Sequence, residues 1–351
     1  MQRGGVDHGN QVRVWERAVP EIRQICIRMA AFNNTGPTNG SNETDCDLQD
    51  DFKHILLPVS YSLVFVFGLG LNITAMYFIF FRTKQWKPNT IYIINLSICD
   101  TLYILTLPFL IYYYADESDW PFGELMCKFI RFLFYTNLYG SILFLSCISV
   151  HRFIGVCHPV RSLSLLNTQY ARLVSVGIWV VILILQAPIL FFSRTTQKKD
   201  IVCHDTTRED LYDDFMVYSS VVMFLLFGLP FVVVLYCNAM MVKKLLEPRV
   251  GGGSTSQRSK QKSVKMIILV LLTFILCFLP FHVNRIVHYT LRYMDRSCDQ
   301  LRLSNIYYQA TRPLLSINSC IDPILYFMAG QSFRNNSTRS NPSSERSIST
   351  V

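Results

Sequence analysis

Seven runs of apolar residues, each near the ~20 residues that an α-helix needs to cross a bilayer, constrain this chain more than any other feature. They cover Ile55 to Phe81, Ile91 to Tyr114, Phe129 to Val156, Leu173 to Phe192, Phe215 to Val242, Met266 to Tyr289 and Leu303 to Ala329. Buried helices of a large soluble protein give apolar runs of roughly 10–14 residues, so these longer runs predict membrane spans. Irregular backbone cannot face lipid, and the chain therefore reads as an all-α membrane protein, a seven-helix bundle. Composition agrees: 51% of the 351 residues are hydrophobic and 16% charged, where soluble domains carry about a quarter charged. That balance excludes a disordered chain.

A net charge of +9 raises the question of nucleic-acid binding, which the placement of the charges answers. The loops after runs one, three and five, with the C-terminal tail, hold sixteen Lys and Arg against only Glu247 and Glu345. Acids gather on the other side: Asp45, Asp47, Asp50 and Asp51 precede run one, and Asp116, Glu117, Asp119 and Glu124 follow run two. The positive-inside rule puts the N-terminus outside and the C-terminus in the cytoplasm. The charge thus reflects membrane orientation, and no nucleic-acid partner is expected.

The expected plan is an extracellular tail over residues 1–53, a seven-span domain over 54–329 and a short cytoplasmic tail over 330–351. Residues 1–28 mix charges without a continuous apolar core, so they read as disordered, with no cleavable signal peptide. Met29 is a candidate physiological start. Sequons at Asn33, Asn39 and Asn42 lie on the outer side as candidate glycan acceptors. Residues 251–263, opening with three glycines, read as a flexible cytoplasmic loop.

Four of the eleven cysteines, Cys46, Cys127, Cys203 and Cys298, lie at or beyond the outer ends of spans, where conditions are oxidising. Four cysteines allow three pairings. In one of these, Cys127 with Cys203 pins the second outer loop over the bundle, and Cys46 with Cys298 ties the tail to the third outer loop.

Ionisable residues inside a span are costly and mark function by default. Asp100 in run two and Asp322 in run seven are such residues, and a cation between them would relieve their repulsion. Ser141, Asn318 and Ser319 could add oxygens to that site; the alternative is that one acid is protonated and hydrogen-bonded. Nearer the outer side, Arg131 and Tyr135 share a helix face at i, i+4, as do Tyr308 and Arg312. His282, Arg285 and Tyr289 form a third stripe. Three Arg from three helices repel one another unless an anion enters, and guanidinium forks bind phosphate or carboxylate oxygens in pairs. The tyrosines offer flat faces to an aromatic ring. Asp205, two residues after Cys203, is the nearest loop acid, and one acid cannot neutralise three Arg. Prolines at Pro108, Pro188, Pro230, Pro280 and Pro323 each remove a backbone donor and permit a bend.

Several stretches together resemble a known family. They are Trp120-Pro-Phe-Gly, the run from Phe129-Ile-Arg-Phe into His151-Arg-Phe, Cys203-His-Asp-Thr-Thr-Arg, Phe278-Leu-Pro-Phe-His-Val-Asn-Arg285, and Thr311-Arg-Pro through Asp322-Pro-Ile-Leu-Tyr326. Over roughly residues 46–334 the chain resembles rhodopsin-like G-protein-coupled receptors, and within them the purinergic nucleotide receptors, especially the UTP/ATP-responsive members. The resemblance implies a phosphate site at Arg131, Arg285 and Arg312, with His282 beside it and Tyr135, Tyr289 and Tyr308 near the base. It implies a sodium site at Asp100, no other cofactor, and G-protein engagement through Arg152, with Phe278, Pro280, Pro323 and Tyr326 in the switch. His151 departs from the usual acid before Arg152, Asp322 from the usual Asn, and Phe278 from the usual Trp.

The expected function is a multi-pass plasma-membrane receptor for an extracellular nucleotide, coupled through a heterotrimeric G protein to phospholipase C and calcium release. A dicarboxylate or an acidic lipid such as a cysteinyl leukotriene is the alternative ligand. An ion-coupled transporter is disfavoured because no internal repeat is visible. No nucleophile–base pair or metal-ligand spacing suggests an enzyme. Hydroxyls such as Ser337 and Thr338 offer phosphorylation sites for arrestin, and Ser349-Thr350-Val351 could join a PDZ domain.

Overall fold

Each apolar run becomes a helix, and each helix overruns the run that predicts it. The computed structural model describes residues 52–83, 86–160, 162, 167–197, 201–204, 211–247, 254–294 and 297–337. Among them, six helices are long and apolar enough to cross a membrane: α1 (Lys53–Arg82), α2 (Pro88–Ala115), α3 (Gly123–Cys157), α4 (Thr168–Phe192), α5 (Tyr212–Leu246) and α6 (Ser263–Tyr293). A seventh, α7 (Cys298–Ser337), packs against α1, α2 and α6 and completes the bundle. It falls short of that apolar measure because Arg312, Asn318 and Asp322 lie along it, all buried against its neighbours. Its outer face remains apolar, with Leu314, Ile317 and Ile324 exposed.

Burial runs inside out relative to a soluble protein. Phe67, Val176, Ile184 and Phe224 are each at least 60% exposed, whereas Asn72, Asp100, Ser141 and Ser319 are fully buried. A lipid surround explains both halves of that pattern, since polar groups in spans turn towards the bundle interior.

Four of the intramembrane prolines disturb their helices, in two ways. The helix breaks before Pro108, at Ile104–Leu107, and at Pro188, between Gln186 and Ile189. In α5 and α6 it widens instead, into π-helical turns at Phe224–Gly228 and Thr273–Phe278, immediately before Pro230 and Pro280. A proline ring crowds the carbonyl four residues back, and a wider turn moves that carbonyl aside. By contrast α7 runs on through Pro313 and Pro323.

One expectation is corrected. Residues 254–263, read from the sequence as part of a flexible loop, are helical, within a segment Ser254–Leu272 that leads into the π turn of α6. No Gly or Pro occurs between Ser254 and Leu272, so an established helix extends backwards at little cost.

Between α4 and α5 a hairpin forms that the sequence reading did not anticipate. Strands β1 (Arg194–Gln197) and β2 (Ile201–His204) pair antiparallel, with Thr195 opposite Cys203. A disulfide joins Cys203 to Cys127 at the start of α3, with the Cα atoms 5.8 Å apart. The turn between α2 and α3 grips the same strand: Trp120 N donates to Ile201 O at 2.8 Å, and Asp119 accepts from Ile201 N at 3.0 Å. Gly123 holds φ at +77°, a left-handed conformation that starts α3, and the buried Trp120 indole donates to its carbonyl at 2.8 Å. The Trp-Pro-Phe-Gly stretch is thus a clamp on the hairpin.

Candidate functional site

At the disulfide end of the bundle three buried arginines converge from α3, α6 and α7, at most 5% exposed. Arg131, one helical turn beyond Cys127, donates from Nη2 to the Cys203 carbonyl at 3.0 Å. Arg312 donates from Nη1 to the Tyr114 phenol at 2.6 Å and lies 5.1 Å from the centroid of the Tyr308 ring. Arg285 donates to Ser219 Oγ at 3.1 Å and more weakly to the Tyr139 phenol at 3.4 Å. Its guanidinium lies 4.7 Å from the Tyr135 centroid and 5.4 Å from that of Tyr289.

Arg285 makes no ion pair among the described residues, and its Nε has no hydrogen-bond partner. Burying a cation costs several kcal/mol after relaxation. A desolvated cation–π contact returns about 2 kcal/mol, and a hydrogen bond to a charged group roughly 1.5–3 kcal/mol. Neutral partners therefore offset the burial without supplying a counter-charge, and Nε is left without a partner.

The structure brings Tyr135, Tyr289 and Tyr308 into this cluster as the helical stripes predict. Tyr308 lies parallel to the His288 ring at 5.5 Å and packs on Phe281 at 5.4 Å. His282 sits lower. It is fully buried, its Nδ1 lies 2.8 Å from the Phe278 carbonyl, and its ring stacks on Phe227 at 3.8 Å. Asp205 lies outside the described residues, as do Cys46, Asn33, Asn39 and Asn42. Cys298 is disulfide-bonded. Three contributors were missed: Tyr114, Tyr139 and Ser219. Tyr139 continues the Arg131–Tyr135 stripe by another four residues and could have been read from it. Tyr114 and Ser219 come from α2 and α5, and no local spacing points to them.

Deeper in the bundle, α2, α3 and α7 assemble the carboxylate pair. Asp100 Oδ1 accepts from Ser319 Oγ at 2.7 Å and from Asn137 Nδ2 at 2.8 Å. Asn318 Nδ2 donates to Asp322 Oδ2 at 3.0 Å. Asp100 Oδ2 and Asn318 Oδ1 remain buried without hydrogen-bond partners, and Ser141 of α3 meets the Asp322 carboxylate. An all-oxygen donor set suits a hard cation rather than a soft metal. Asn137, absent from the sequence reading, stands one turn before Ser141 on the same face of α3.

At the opposite end Arg152 closes against the Met266 thioether of α6 and makes no ion pair among the described residues. Its neighbour His151 meets the Tyr92 ring edge-on at 6.3 Å. Phe278 ends the π turn of α6, buried and perpendicular to Phe274. Pro280 follows in the same helix and Pro323 is buried in α7. The side chain of Tyr326 lies outside the described residues.

Comparison with known proteins agrees with this geometry. Residues 71–326 match the family described as 7 transmembrane receptor (rhodopsin family). The chain is 50% identical to mouse purinoceptor 2 over 299 residues, which is 84% of this chain and 80% of the relative. Identity to rat purinoceptor 4 is 45% over 305 residues, 87% of this chain and 84% of that one. Turkey purinoceptor 1 is 40% identical over 331 residues, 90% of both chains. The chain is thus a multi-pass plasma-membrane receptor, not an enzyme, and it belongs to the purinoceptors within the rhodopsin family of seven-transmembrane receptors.

Proposed function

We propose that the receptor answers an extracellular nucleotide of the UTP or ATP kind. The observation that carries this reading is Arg285, buried among Tyr135, Tyr139, Tyr289 and Ser219 without an ion pair among the described residues. The polyphosphate docks on Arg131, Arg285 and Arg312, and the base lies against the Tyr135, Tyr289 and Tyr308 rings. His282 buttresses the site from below, and Asp205 completes the ligand-binding set. Binding draws α3, α6 and α7 together at the outer end, and the wide turn before Pro280 lets the inner end of α6 swing away from Arg152. The ligand favours that state only by binding it more tightly than the resting one.

Released from Met266, Arg152 meets a heterotrimeric G protein together with Tyr326 and the basic third inner loop, and the partner is of the phospholipase-C-activating type. Asp100, Ser141, Asn318, Ser319 and Asp322 would hold a sodium ion, which would supply positive charge between the two carboxylates. The hydroxyl-rich C-terminal tail takes phosphates for arrestin, and its last three residues dock in a PDZ domain.

The test is calcium release in transfected cells challenged with UTP, ATP, UDP and ADP, with a dicarboxylate and a cysteinyl leukotriene as further arms. A response to a nucleotide at micromolar concentration or below is expected. A response only to the dicarboxylate or the leukotriene would transfer the same arginines to a carboxylate ligand.

A further inference from the structure

His288 of α6 is a buried histidine beside the arginine cluster, and the hydrogen bond it makes fixes its tautomer. Its Nδ1 lies 2.9 Å from Ser304 Oγ on α7, and that hydroxyl donates its one proton to the Leu301 carbonyl at 2.8 Å. The oxygen must therefore accept from the ring, so Nδ1 carries the hydrogen and Nε2 is left with a lone pair. Nε2 makes no hydrogen bond among the described residues. Tyr308 of α7 holds the imidazole flat, its ring parallel within 6° at 5.5 Å.

That placement sets the imidazole one tyrosine away from two of the three guanidiniums. Tyr308 is shared with Arg312, which lies 5.1 Å from its centroid. Tyr289, 5.8 Å from the imidazole, is shared with Arg285 at 5.4 Å. On α6 itself Arg285 stands three residues before His288 and Arg292 four residues after it, and Arg292 acts on the ring electrostatically. The α5 helix reaches this end through Tyr212, which donates to the Tyr289 carbonyl at 3.3 Å and lies under Arg292 at 5.0 Å. No carboxylate pairs with His288 among the described residues. The charges around the imidazole are thus all positive, and the remaining titratable neighbours are phenols.

The two protonation states of such a ring meet a phosphate differently. Neutral, it turns a lone pair towards the phosphate oxygens; protonated, it offers a charge-assisted N–H from Nε2 while Nδ1 keeps its bond to Ser304. Neighbouring cations disfavour an imidazolium and an anion favours it. A bound polyphosphate therefore promotes protonation, and by linkage the protonated ring binds polyphosphate more tightly. Histidine is the side chain whose ordinary titration, at ~6.5, falls within the range of extracellular media. We propose that His288 is a further phosphate-binding residue that takes up a proton as the nucleotide docks, so that the receptor answers nucleotide more sensitively in acidified surroundings. The assignment rests on the nucleotide reading of the outer cluster.

Titration of tritiated UTP and ATP on membranes carrying the full receptor, at about pH 7.5 and about pH 6.0, tests it. The terminal phosphate of a nucleotide titrates in the same range, so the informative quantity is the parent's affinity divided by that of His288→Phe at each pH. That ratio should grow several-fold on acidification, the limit for one proton being about tenfold per pH unit. His288→Gln keeps a neutral hydrogen-bonding group that does not titrate, and should follow the pH profile of the Phe variant, with surface-antibody counts correcting for receptor number. His54→Phe and His204→Phe, at two other histidines of the outer side, should keep the parent's profile. A ratio that does not change with pH, or a profile lost in His204→Phe instead, would overturn the proposal and leave the nucleotide reading standing. Absence of binding by UTP and ATP alike at both pH values would remove the two together.

Discussion

Arg285 shows what a single residue contributes and why its partners matter. Its fork is held by one hydroxyl, one phenol and two ring faces, all neutral, so it is positioned before any ligand arrives. Replacing it with Ala removes charge-assisted hydrogen bonds worth about 1.5–3 kcal/mol. Nucleotide concentration–response curves for Arg285→Ala should therefore shift by about 10- to 100-fold. Arg285→Lys keeps the charge but not the fork, and should recover only part of that loss. An unshifted curve for the Ala variant would place the phosphates elsewhere. The carboxylate pair makes a second claim at this scale. If a cation bridges Asp100 and Asp322, replacing NaCl with N-methylglucamine chloride should strengthen agonist binding several-fold in the parent receptor. Asp100→Asn should abolish that difference, and a sodium effect that persisted would remove the ion from this site. The stripes that place Arg131, Tyr135, Arg285 and Tyr289 on inward faces were legible in the sequence, because side-chain direction in a helix follows from spacing alone. Ser219 was not legible, since it meets Arg285 across 66 residues of chain.

At the scale of elements, the helices are joined by close approach and shaped by prolines. Gly140 of α3 faces α2, where an added Cβ would stand 2.8 Å from Cys99 Sγ. A small residue there lets the two backbones approach closely. Overpacking of this kind costs about 1–3 kcal/mol. Gly140→Ala should lower the thermal unfolding temperature of the detergent-solubilised receptor, and the double variant Gly140→Ala, Cys99→Ala should recover most of the loss. Failure of that rescue would show that the cost lies elsewhere in the interface. The π turn before Pro280 makes a functional claim. Restoring a backbone donor with Pro280→Ala lets the turn tighten towards regular α-helix. Nucleotide binding should be preserved while nucleotide-stimulated GTP exchange falls several-fold; an intact exchange rate would show that α6 needs no such bend. Prolines are plain in a sequence, but their effects differ: two break the helix, two widen it and two in α7 do neither. Which outcome follows depends on whether neighbouring helices can hold the displaced carbonyl, and that is a property of packing.

For the whole molecule, the hairpin over the arginine cluster is the feature that joins distant parts. Cys203 is bonded to Cys127, its carbonyl accepts from Arg131, and its strand is gripped by Trp120 and Asp119. Cys203→Ser should therefore weaken nucleotide binding by at least about tenfold, ~1.4 kcal/mol, in receptor that still reaches the cell surface, measured by ligand titration against surface-antibody counts. Unchanged affinity in surface receptor would mean that the loop does not order the site. The sequence by itself determined that helices span a membrane seven times and which faces carry charge, because hydropathy and helical period are summed locally along the chain. It also placed the four outer cysteines on one side, while leaving three pairings open. Only the tertiary structure decided which pairing Cys127 takes, that Tyr114, Tyr139 and Ser219 complete the cluster, and that Asn137 completes the carboxylate site. The physical reason is the same in each case. Those contacts join residues 37 to 198 positions apart, and they depend on the rotation, tilt and depth of whole helices, which side-chain packing sets and no local pattern encodes.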